Sequence, residues 1–352
     1  MLQKTHYELI QDQLRISPRR WLVTGVAGFI GSHLLQKLLE LGQEVVGLDN
    51  FATGHQHNLD DVSRVVGHDA WKRFTFLNGD ITDLETCRMA CRDVNAVLHQ
   101  AALGSVPRSI ANPLASHDAN ITGFLNMLIA ARDAGVARFV FASSSSVYGD
   151  HPALPKVEAQ TGNLLSPYAL TKYANELYAS VFARCYGMQT AGLRYFNVFG
   201  RRQDPEGAYA AVIPRWFSSL LAGQSCSIFG DGETSRDFTH VNNVVQANVL
   251  AATTPADVTG QVFNVACGER LTLRQLHDSI AAVLLQRGAI SSIPLPAWQP
   301  FRPGDIRHSL ADISKATELL GYEPGCTLTA GLKEASEWYV DHYNAGNCKR
   351  VA

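Results

Sequence analysis

The sequence lacks several features that identify whole classes of proteins. Its 30 basic residues nearly balance its 32 acidic ones, so no overall field attracts nucleic acid or an anionic membrane, and any phosphate binding must be local. No apolar run is long enough to span a bilayer. Charged residues such as Lys4, Asp12 and Arg15 interrupt the first 20 residues, which excludes the apolar core of a signal peptide. We therefore expect a soluble, cytoplasmic protein without a nucleic-acid or membrane partner.

The cysteine and histidine patterns that hold metals or disulfides are absent as well. The 7 cysteines lie between Cys87 and Cys348 without a CxxC unit, which fits reduced thiols better than a disulfide framework or a zinc site. Cys87 and Cys91 share one face of a predicted helix, but no histidine pair lies nearby, so packing is the simpler interpretation. We expect no metal ion.

The first half of the chain alternates short β-branched runs with longer amphipathic stretches. The apolar fraction of 46% is ample for a core. Such alternation predicts an α/β fold, a Rossmann-type doubly wound parallel sheet with a smaller α/β lobe formed by the turn-rich second half. The runs predicted as strands are 21–24, 44–48, 74–77, 96–99, 138–142, 190–194 and 262–265. The predicted division is an N-terminal extension over 1–20, a first domain over 21–196 plus 238–266, and a second lobe over 197–237 and 267–345.

A glycine-rich turn follows the first of these strands. Gly25 permits the turn, Gly28 lets the backbone approach a pyrophosphate, and Gly31 allows the next helix to pack closely on the sheet. Asp49 closes the following strand, where its carboxylate accepts hydrogen bonds from a ribose and repels a 2′-phosphate. Alone, the turn fits a structural role and Asp49 a strand-end cap. Together, with a strand before and a helix after the glycines, they predict that the first domain binds NAD.

A tyrosine and a lysine four residues apart form the candidate catalytic pair. Tyr168 and Lys172 share one face of a predicted helix, and an ammonium near a phenol lowers the tyrosine pKa toward that of a general base. Taken alone, the pair fits a solvated helix face equally well. The hydroxyls of residues 143–146 stand at a strand end and can donate to a reacting oxygen. Ser144 is the candidate donor by its spacing from Tyr148.

These sequence motifs resemble those of extended short-chain dehydrogenases/reductases of the UDP-galactose 4-epimerase type. The resemblance extends from about residue 21 to about residue 339 and includes the segments 99–109, 192–204 and 230–238. It is strongest to bacterial UDP-N-acetylglucosamine 4-epimerases of surface-polysaccharide synthesis. It implies that Tyr168 takes the proton of the sugar 4-hydroxyl while NAD accepts the C4 hydride. The 4-keto sugar then turns over and receives the hydride on its other face. It also implies a homodimer joined by a four-helix bundle of the helices near 121–134 and 168–184.

The resemblance further assigns contacts residue by residue. The implied NAD contacts are Gly25, Gly28, Phe29, Ile30, Gly31, Asp49, Asn50, Phe51, Gly54, Asp80, Ile81, Gln100, Ala101, Ala102, Asn120, Tyr168, Lys172, Tyr195 and Val198. The implied UDP-sugar contacts are Gly104, Ser105, Ser143, Ser144, Ser145, Asn197, Gln203, Ala211, Val212, Arg236, Arg302, Asp305 and Ser309. Arg236 and Arg302 suit a diphosphate because a guanidinium is a planar, permanently charged fork, although arginines in loops are more often solvated surface.

The choice of sugar depends on two small residues. Relatives restricted to non-acetylated sugars carry a tyrosine at the position of Ser309 and a lysine at that of Gly104, so this chain leaves room for an N-acetyl group. We expect UDP-N-acetylglucosamine and UDP-N-acetylgalactosamine to be interconverted. The corresponding uronic acid, with its carboxylate met by Arg108, His99 or Arg201, and UDP-glucose remain alternatives.

Two other functions are weighed against epimerisation. Related 4,6-dehydratases carry an Asp-Glu pair where this chain has Ser145 and Ser146, so elimination lacks its acid and base. A noncatalytic NAD-binding sensor is the alternative from a different class, but such proteins have typically lost the tyrosine and lysine that are present here. The resemblance has departures, since His240 and Asn243 stand where a hydrophobic or aromatic residue and an acid are expected.

Overall fold

A computed structural model describes residues 4–207, 210–301 and 306–351. The strands are β1 (Arg20–Thr24), β2 (Glu44–Asp49), β3 (Phe74–Asn78), β4 (Ala96–His99), β5 (Arg138–Ser144), β6 (Thr190–Tyr195), β7 (Val198–Phe199), β8 (Ser227–Phe229), β9 (Ser235–Arg236), β10 (Thr239–His240), β11 (Gln261–Val265), β12 (Leu271–Thr272) and β13 (Ala297–Gln299). Within the described residues, none of the helices combines the length and the apolar composition that crossing a membrane requires.

Helices connect and flank these strands. They are α1 (His6–Ile16), α2 (Phe29–Glu40), α3 (Gln56–Val66), α4 (His68–Trp71), α5 (Leu84–Ala90), α6 (Val106–Ala111), α7 (Pro113–His117), α8 (Gly123–Asp133), α9 (Pro167–Tyr186), α10 (Val212–Leu221), α11 (Val241–Thr253), α12 (Leu273–Gln286), α13 (Ser314–Leu320) and α14 (Leu328–Val351). A π-helical turn at Asp118–Thr122 precedes α8, and a 3₁₀ turn at Ser145–Tyr148 follows β5.

A seven-stranded sheet in the order β11-β6-β5-β4-β1-β2-β3 forms the centre of the molecule. Every pairing in it is parallel, so the predicted Rossmann-type α/β fold is confirmed. The strand order reverses at β1, which leaves a crevice above the carboxyl ends of β1 and β4 where ligands bind in such sheets. The remaining strands form two-stranded ladders: β10 with β7, β12 with β9, and β13 with β8.

Apolar side chains cover both faces of the sheet and fill a separate core in the second lobe. Cys87 and Cys91 are buried in the cluster on one sheet face, which agrees with their predicted packing role. The second-lobe core joins α10, α12 and α14. Ala316 and Leu320 of α13, which the predicted boundaries give to that lobe, instead pack in the cluster against the central sheet.

Residues 6–16 of the predicted N-terminal extension form a helix that packs on the folded core. The α1 helix begins with a capping box between Thr5 and Glu8 and buries Ile10 and Leu14 in the cluster on the sheet. The buried amide of Gln43 donates to the Leu14 carbonyl at 2.8 Å, which fixes the end of the helix beside β2. Residues 6–16 are therefore an added helix of the first domain rather than a free extension.

Candidate functional site

A cavity of about 640 Å³ opens at the carboxyl ends of the central strands. It lies at the point where the strand order reverses, as expected for a ligand site in a doubly wound sheet. The predicted site residues that line it are Gly25, Gly28, Phe29, Ile30, Gly31, Asp49, Asn50, Gly54, Asp80, Ile81, Gln100, Ala101, Ala102, Gly104, Ser143, Tyr168, Lys172 and Tyr195. The structure thus brings most of the predicted cofactor contacts together with the catalytic pair.

The glycine turn forms a cradle that a Cβ atom would fill. Gly25 has a φ of +66°, and a Cβ there would lie 2.8 Å from the Ala101 nitrogen. A Cβ on Gly31 would lie only 2.0 Å from the Gly25 carbonyl oxygen, so Gly31 packs on the turn itself more closely than on the sheet. Gly28 is the N-cap of α2, whose N-terminus has no side-chain cap. Because uncapped amides and the helix dipole attract an anion, this cradle fits the pyrophosphate of NAD.

Asp49 closes β2 beside the glycine turn. Its carboxylate accepts hydrogen bonds from the Ala27 nitrogen at 2.9 Å and from the Phe51 nitrogen at 2.8 Å. Burial raises the pKa of Asp49, and these backbone hydrogen bonds partly lower it again. The neighbouring Asn50 donates to Asp80 at 2.7 Å. The two acidic side chains therefore hold the loops that frame one end of the cavity, which is the end suited to a nucleoside.

Helix α9 carries the candidate catalytic pair into the other end. Its N-cap Ser166 accepts from the Ala169 nitrogen at 3.1 Å, and Pro167 occupies its first turn. Lys172 lies 6.0 Å from the centre of the Tyr168 ring and donates to the Ala142 carbonyl at 2.9 Å. Burial lowers the pKa of Lys172 to about 8. The ammonium is thus held against the end of β5 beside the phenol.

The pKa of Tyr168 differs from the expectation based on the lysine. Burial raises the pKa of Tyr168, and the opposing contribution comes from a hydrogen bond with Ser144. The hydroxyl of Ser144 accepts from the Ser146 nitrogen at 3.1 Å and from the Ser146 hydroxyl at 2.9 Å, which leaves its own proton to donate to the phenol oxygen. The contribution that lowers the pKa of Tyr168 therefore comes from Ser144.

Two predicted ligand contacts have side chains that are bonded within the protein. Ser143 lines the cavity, but it is 3% exposed and its hydroxyl donates to Glu176 at 2.5 Å. The Asn120 amide is bonded to both backbone groups of Leu103 and to the Thr171 hydroxyl at 3.1 Å. Asn120 therefore ties a cavity loop to helix α9 instead of presenting its amide to the cofactor.

The other predicted cofactor residues lie beneath or beside the cavity. Phe51 and Val198 pack against the core on one face of the sheet. Tyr195 forms a closed triangle with two amides, donating to Gln100 at 3.0 Å and accepting from Asn248 at 2.8 Å, while Gln100 donates to Asn248 at 3.1 Å. This triangle fixes the cavity wall opposite α9.

One predicted substrate contact, Arg236, lines a second, smaller cavity, and Ser309 lies beside it. Arg236 lines this cavity of about 180 Å³ and donates to the carbonyls of Ser235 and Arg307. Ser309 is held beside it, because its nitrogen donates to the Ser235 carbonyl at 3.0 Å. Arg302 and Asp305 lie outside the described residues.

The remaining predicted substrate contacts have mainly local roles in the described structure. Asn197 donates to the Asp237 carbonyl at 3.0 Å, and Gln203 donates to the Val198 carbonyl at 3.0 Å. Ala211 is the N-cap of α10, and Val212 begins that helix. Ser105 has a φ of +95°, caps α6 and accepts from the Arg108 nitrogen, while Ser145 begins the 3₁₀ turn after β5.

Several residues that line the cavity were not predicted from the sequence. Ala115, Asp118 and Ala119 come from α7 and the π-helical turn, while Leu103 and Ala142 adjoin predicted contacts. Small apolar residues in short helices form no recognisable motif, although proximity to the strand-end strings would have identified Leu103 and Ala142. The buried partners Glu176, Arg194 and Asn248 were missed because they touch other residues of the site rather than the cavity.

Comparison with known proteins gives a consistent result. The NAD dependent epimerase/dehydratase family matches residues 21–266. A UDP-glucose 4-epimerase of Mycolicibacterium smegmatis is 39% identical over 91% of this chain and 98% of its own. The structure of a UDP-N-acetylglucosamine 4-epimerase from Methanobrevibacter ruminantium, in complex with UDP-N-acetylmuramic acid, is 37% identical with a TM-score of 0.84, covering 92% of this chain and 99% of that one. A UDP-glucuronic acid 4-epimerase from Bacillus cereus, bound to UDP-glucuronic acid and NAD, is 30% identical with a TM-score of 0.81, over 92% and 100% of the two chains.

Proposed function

Because the chain belongs to the NAD-dependent epimerase/dehydratase family and is a UDP-sugar 4-epimerase, we propose that it interconverts UDP-N-acetylglucosamine and UDP-N-acetylgalactosamine. Bound NAD would supply the hydride acceptor and donor that inversion at C4 of the sugar requires. Its pyrophosphate would rest on the turn from Gly25 to Gly31, with the adenosine ribose near Asp49.

The residues at the other end of the cavity carry out the proton transfer at the sugar 4-hydroxyl. Tyr168 takes the proton as a phenolate, and the Ser144 hydroxyl stabilises that phenolate by hydrogen bonding. Lys172, anchored on the Ala142 carbonyl, adds a positive charge beside the forming phenolate. In the return step the phenol gives the proton back to the sugar oxygen, so the reaction has no net change in oxidation state.

The choice of an acetylated sugar is supported chiefly by the open space at Gly104. This residue lines the cavity, and a Cβ added to it would meet nothing within 4 Å. Relatives that exclude N-acetyl groups are expected to place a lysine there. The open space therefore favours a sugar with a large group at C2, and the similarity to the archaeal UDP-N-acetylglucosamine 4-epimerase agrees with this choice.

A uronic acid substrate is the second candidate, since a glucuronate epimerase is among the similar structures. Of the cations considered for its carboxylate, His99 is unsuitable because it is buried between Phe124 and Phe139 and burial lowers its pKa to about 3. Arg201 is paired with Glu334 at 3.3 Å. Arg108 lies on α6, near Gly104 in the sequence.

We also propose that two copies associate through α8 and α9, forming a four-helix bundle. These helices pack side by side on one face of the sheet. Leu170, Leu177 and Val181 of α9 are exposed in spite of their apolar character, and exposed apolar stripes of this kind mark association surfaces. The assignment of the product to surface-polysaccharide synthesis rests on the sequence resemblance alone.

The experiment is an assay of purified protein with UDP-N-acetylglucosamine, its uronic acid analogue and UDP-glucose in parallel. No cofactor is added, because NAD is expected to remain bound through the cycle, and products are followed by NMR. We expect epimerisation of the acetylated hexose and its loss in Tyr168→Phe. Faster conversion of the uronic acid would replace the proposed substrate. No epimer from any of the three, even with NAD supplied, would favour a noncatalytic NAD-binding protein.

A further inference from the structure

A buried ion pair lies directly behind the serine motif, the four serines of residues 143–146. Arg194 of β6 donates two hydrogen bonds to Glu176 of α9, at 2.9 Å from Nε and 2.7 Å from an Nη atom. Both side chains are buried, with 3% and 6% of their surfaces exposed. The Ser143 hydroxyl donates to the same carboxylate at 2.5 Å. One carboxylate therefore joins helix α9 to strands β5 and β6.

The register of the two strands places this junction one residue before the reacting groups. Ser143 pairs with Arg194, and Ser144 pairs with Tyr195. Because Ser143 and Arg194 are both bonded to Glu176, the backbone of the next residue on each strand is held in place at the carboxyl end of the sheet. Those next residues are Ser144, whose hydroxyl contributes a hydrogen bond that lowers the pKa of Tyr168, and Tyr195, which lines the cavity.

The same pair supports the turn that follows Ser144. The Arg194 guanidinium lies 4.8 Å from the centre of the Tyr148 ring, and Tyr148 ends the 3₁₀ turn of the serine motif. The Tyr148 hydroxyl donates to Asn264 at 2.7 Å. Ser144 is thus held on both sides, by Ser143 before it and by the Tyr148 turn after it.

Stability alone is a weak reason for such a pair. Removing two charges from water costs free energy that their attraction seldom exceeds, and apolar residues of similar size often replace a buried ion pair without loss of stability. The pair does fix the orientation of both side chains, since a bidentate guanidinium and carboxylate hold them in one geometry.

We propose that Glu176 and Arg194 are positioning residues for epimerisation, which hold the end of β5 so that the Ser144 hydroxyl meets the Tyr168 phenol. This inference rests on the proposed function, in which Tyr168 is the base. Its consequence is that the pair acts on the proton-transfer step rather than on UDP-sugar binding, because neither side chain lines the cavity among the described residues.

The test is the double variant Glu176→Met with Arg194→Met, which removes both charges and keeps the volume similar. We expect kcat to fall about tenfold to a hundredfold, the order expected for a misplaced reacting group, while KM changes by less than about threefold. Loss of the Ser144 hydrogen bond leaves burial unopposed, so the ascending limb of the kcat profile should move to higher pH.

Two further variants keep the outcome decisive. Ser143→Ala removes only the link to β5 and should give a smaller decrease in kcat with a shift in the same direction. Leu284→Ala, which opens a cavity in the second-lobe core, should lower Tm without moving the pH profile. A folded double variant with wild-type kcat and profile overturns the inference. If the double variant does not fold, a Ser143→Ala variant with wild-type kcat and pH profile overturns the inference. An inactive wild type would instead refute the proposed function.

Discussion

Gly104 is the residue at which the proposed preference for an acetylated sugar can be tested most directly. A Cβ added at Gly104 would meet nothing within 4 Å, so a lysine there displaces no neighbouring atoms at its Cβ. Its side chain would extend into the cavity that Gly104 lines. In Gly104→Lys we expect kcat/KM for UDP-N-acetylglucosamine to fall about ten- to a hundredfold relative to UDP-glucose, because the N-acetyl group loses its space.

The measurement is competition of the two UDP-sugars for one enzyme preparation, followed by NMR. Gly104→Ala is the matched control, since a methyl group should leave the ratio close to that of the wild type. An unchanged ratio in Gly104→Lys would show that the N-acetyl group lies elsewhere and would direct attention to Ser309, held beside Arg236 through Ser235.

Single residues show what a sequence can and cannot predict about a site. The glycines and Asp49, predicted as cofactor contacts, line the cavity, because their spacing relative to a strand and a helix defines one geometry. Ser143 and Ser144 are chemically identical, and only the strand register decides that the first hydroxyl meets Glu176 while the second meets Tyr168. The direction of Asn120 was equally hidden, because its partners in the Leu103 loop are distant in sequence.

The turn into α2 is the element whose geometry is most restrictive. A Cβ at Gly31 would lie 2.0 Å from the Gly25 carbonyl oxygen, so Gly31→Ala must push the helix N-terminus away from the turn. We expect the purified variant to lose bound NAD and to have a lower Tm, because the uncapped amides no longer converge on one anion.

Bound NAD can be measured by chromatography of the acid-extracted protein, and Tm by calorimetry. Gly325→Ala is the control, since a Cβ there would meet nothing within 4 Å and its NAD content and Tm should match the wild type. Full NAD occupancy in Gly31→Ala would mean that the contact is relieved by a shift that leaves the cofactor site intact.

The elements predicted best from the sequence are those formed by continuous apolar runs. The strands of the central sheet match the predicted runs within one or two residues, because buried parallel strands are continuous apolar runs. The stretch predicted as one helix from residue 121 begins as a π-helical turn at Asp118. The α1 helix was missed as a core element because its apolar stripe of Ile10 and Leu14 acquires meaning only beside β2.

At the scale of the whole molecule, the exposed stripe on α9 predicts a dimer. Leu170 and Leu177 are 54% and 52% exposed, and burying such side chains against a second copy removes apolar area from water. In Leu177→Glu we expect the molar mass measured by light scattering to fall from that of two chains toward one, because a carboxylate is costly to bury there.

Leu295→Glu provides the matched control, since Leu295 is 85% exposed on the second lobe and should leave the mass unchanged. A wild-type protein with the mass of a single chain at micromolar concentration would contradict the dimer, and a dimer that persists in Leu177→Glu would place the interface on another surface.

Buried histidines make the stability of the whole molecule sensitive to acid. Burial lowers the pKa of His99 to about 3 and that of His240 to about 4, and it lowers the pKa of His33 well below its usual value. The unfolded chain binds these protons near pH 6.5, so stability is fully present above that pH and is lost as the pH falls toward 4. Asp237 and Asp49 have the opposite sign, because burial raises the pKa of Asp237 to about 6 and also raises that of Asp49, but these two carboxyls offset only part of the effect of three histidines.

We therefore expect Tm to be nearly constant between pH 7 and pH 8 and to fall steadily between pH 6.5 and pH 4.5, as measured by calorimetry. His240→Asn should flatten this decrease, because asparagine can still accept from the Asn242 nitrogen at the start of α11, as the His240 ring does at 3.4 Å, but binds no proton in this range. The absolute Tm of the variant is not the test, since the smaller side chain also changes packing beside Phe199. A variant whose Tm falls as steeply as that of the wild type would show that His240 does not contribute, and the acid sensitivity would then rest on His33 and His99.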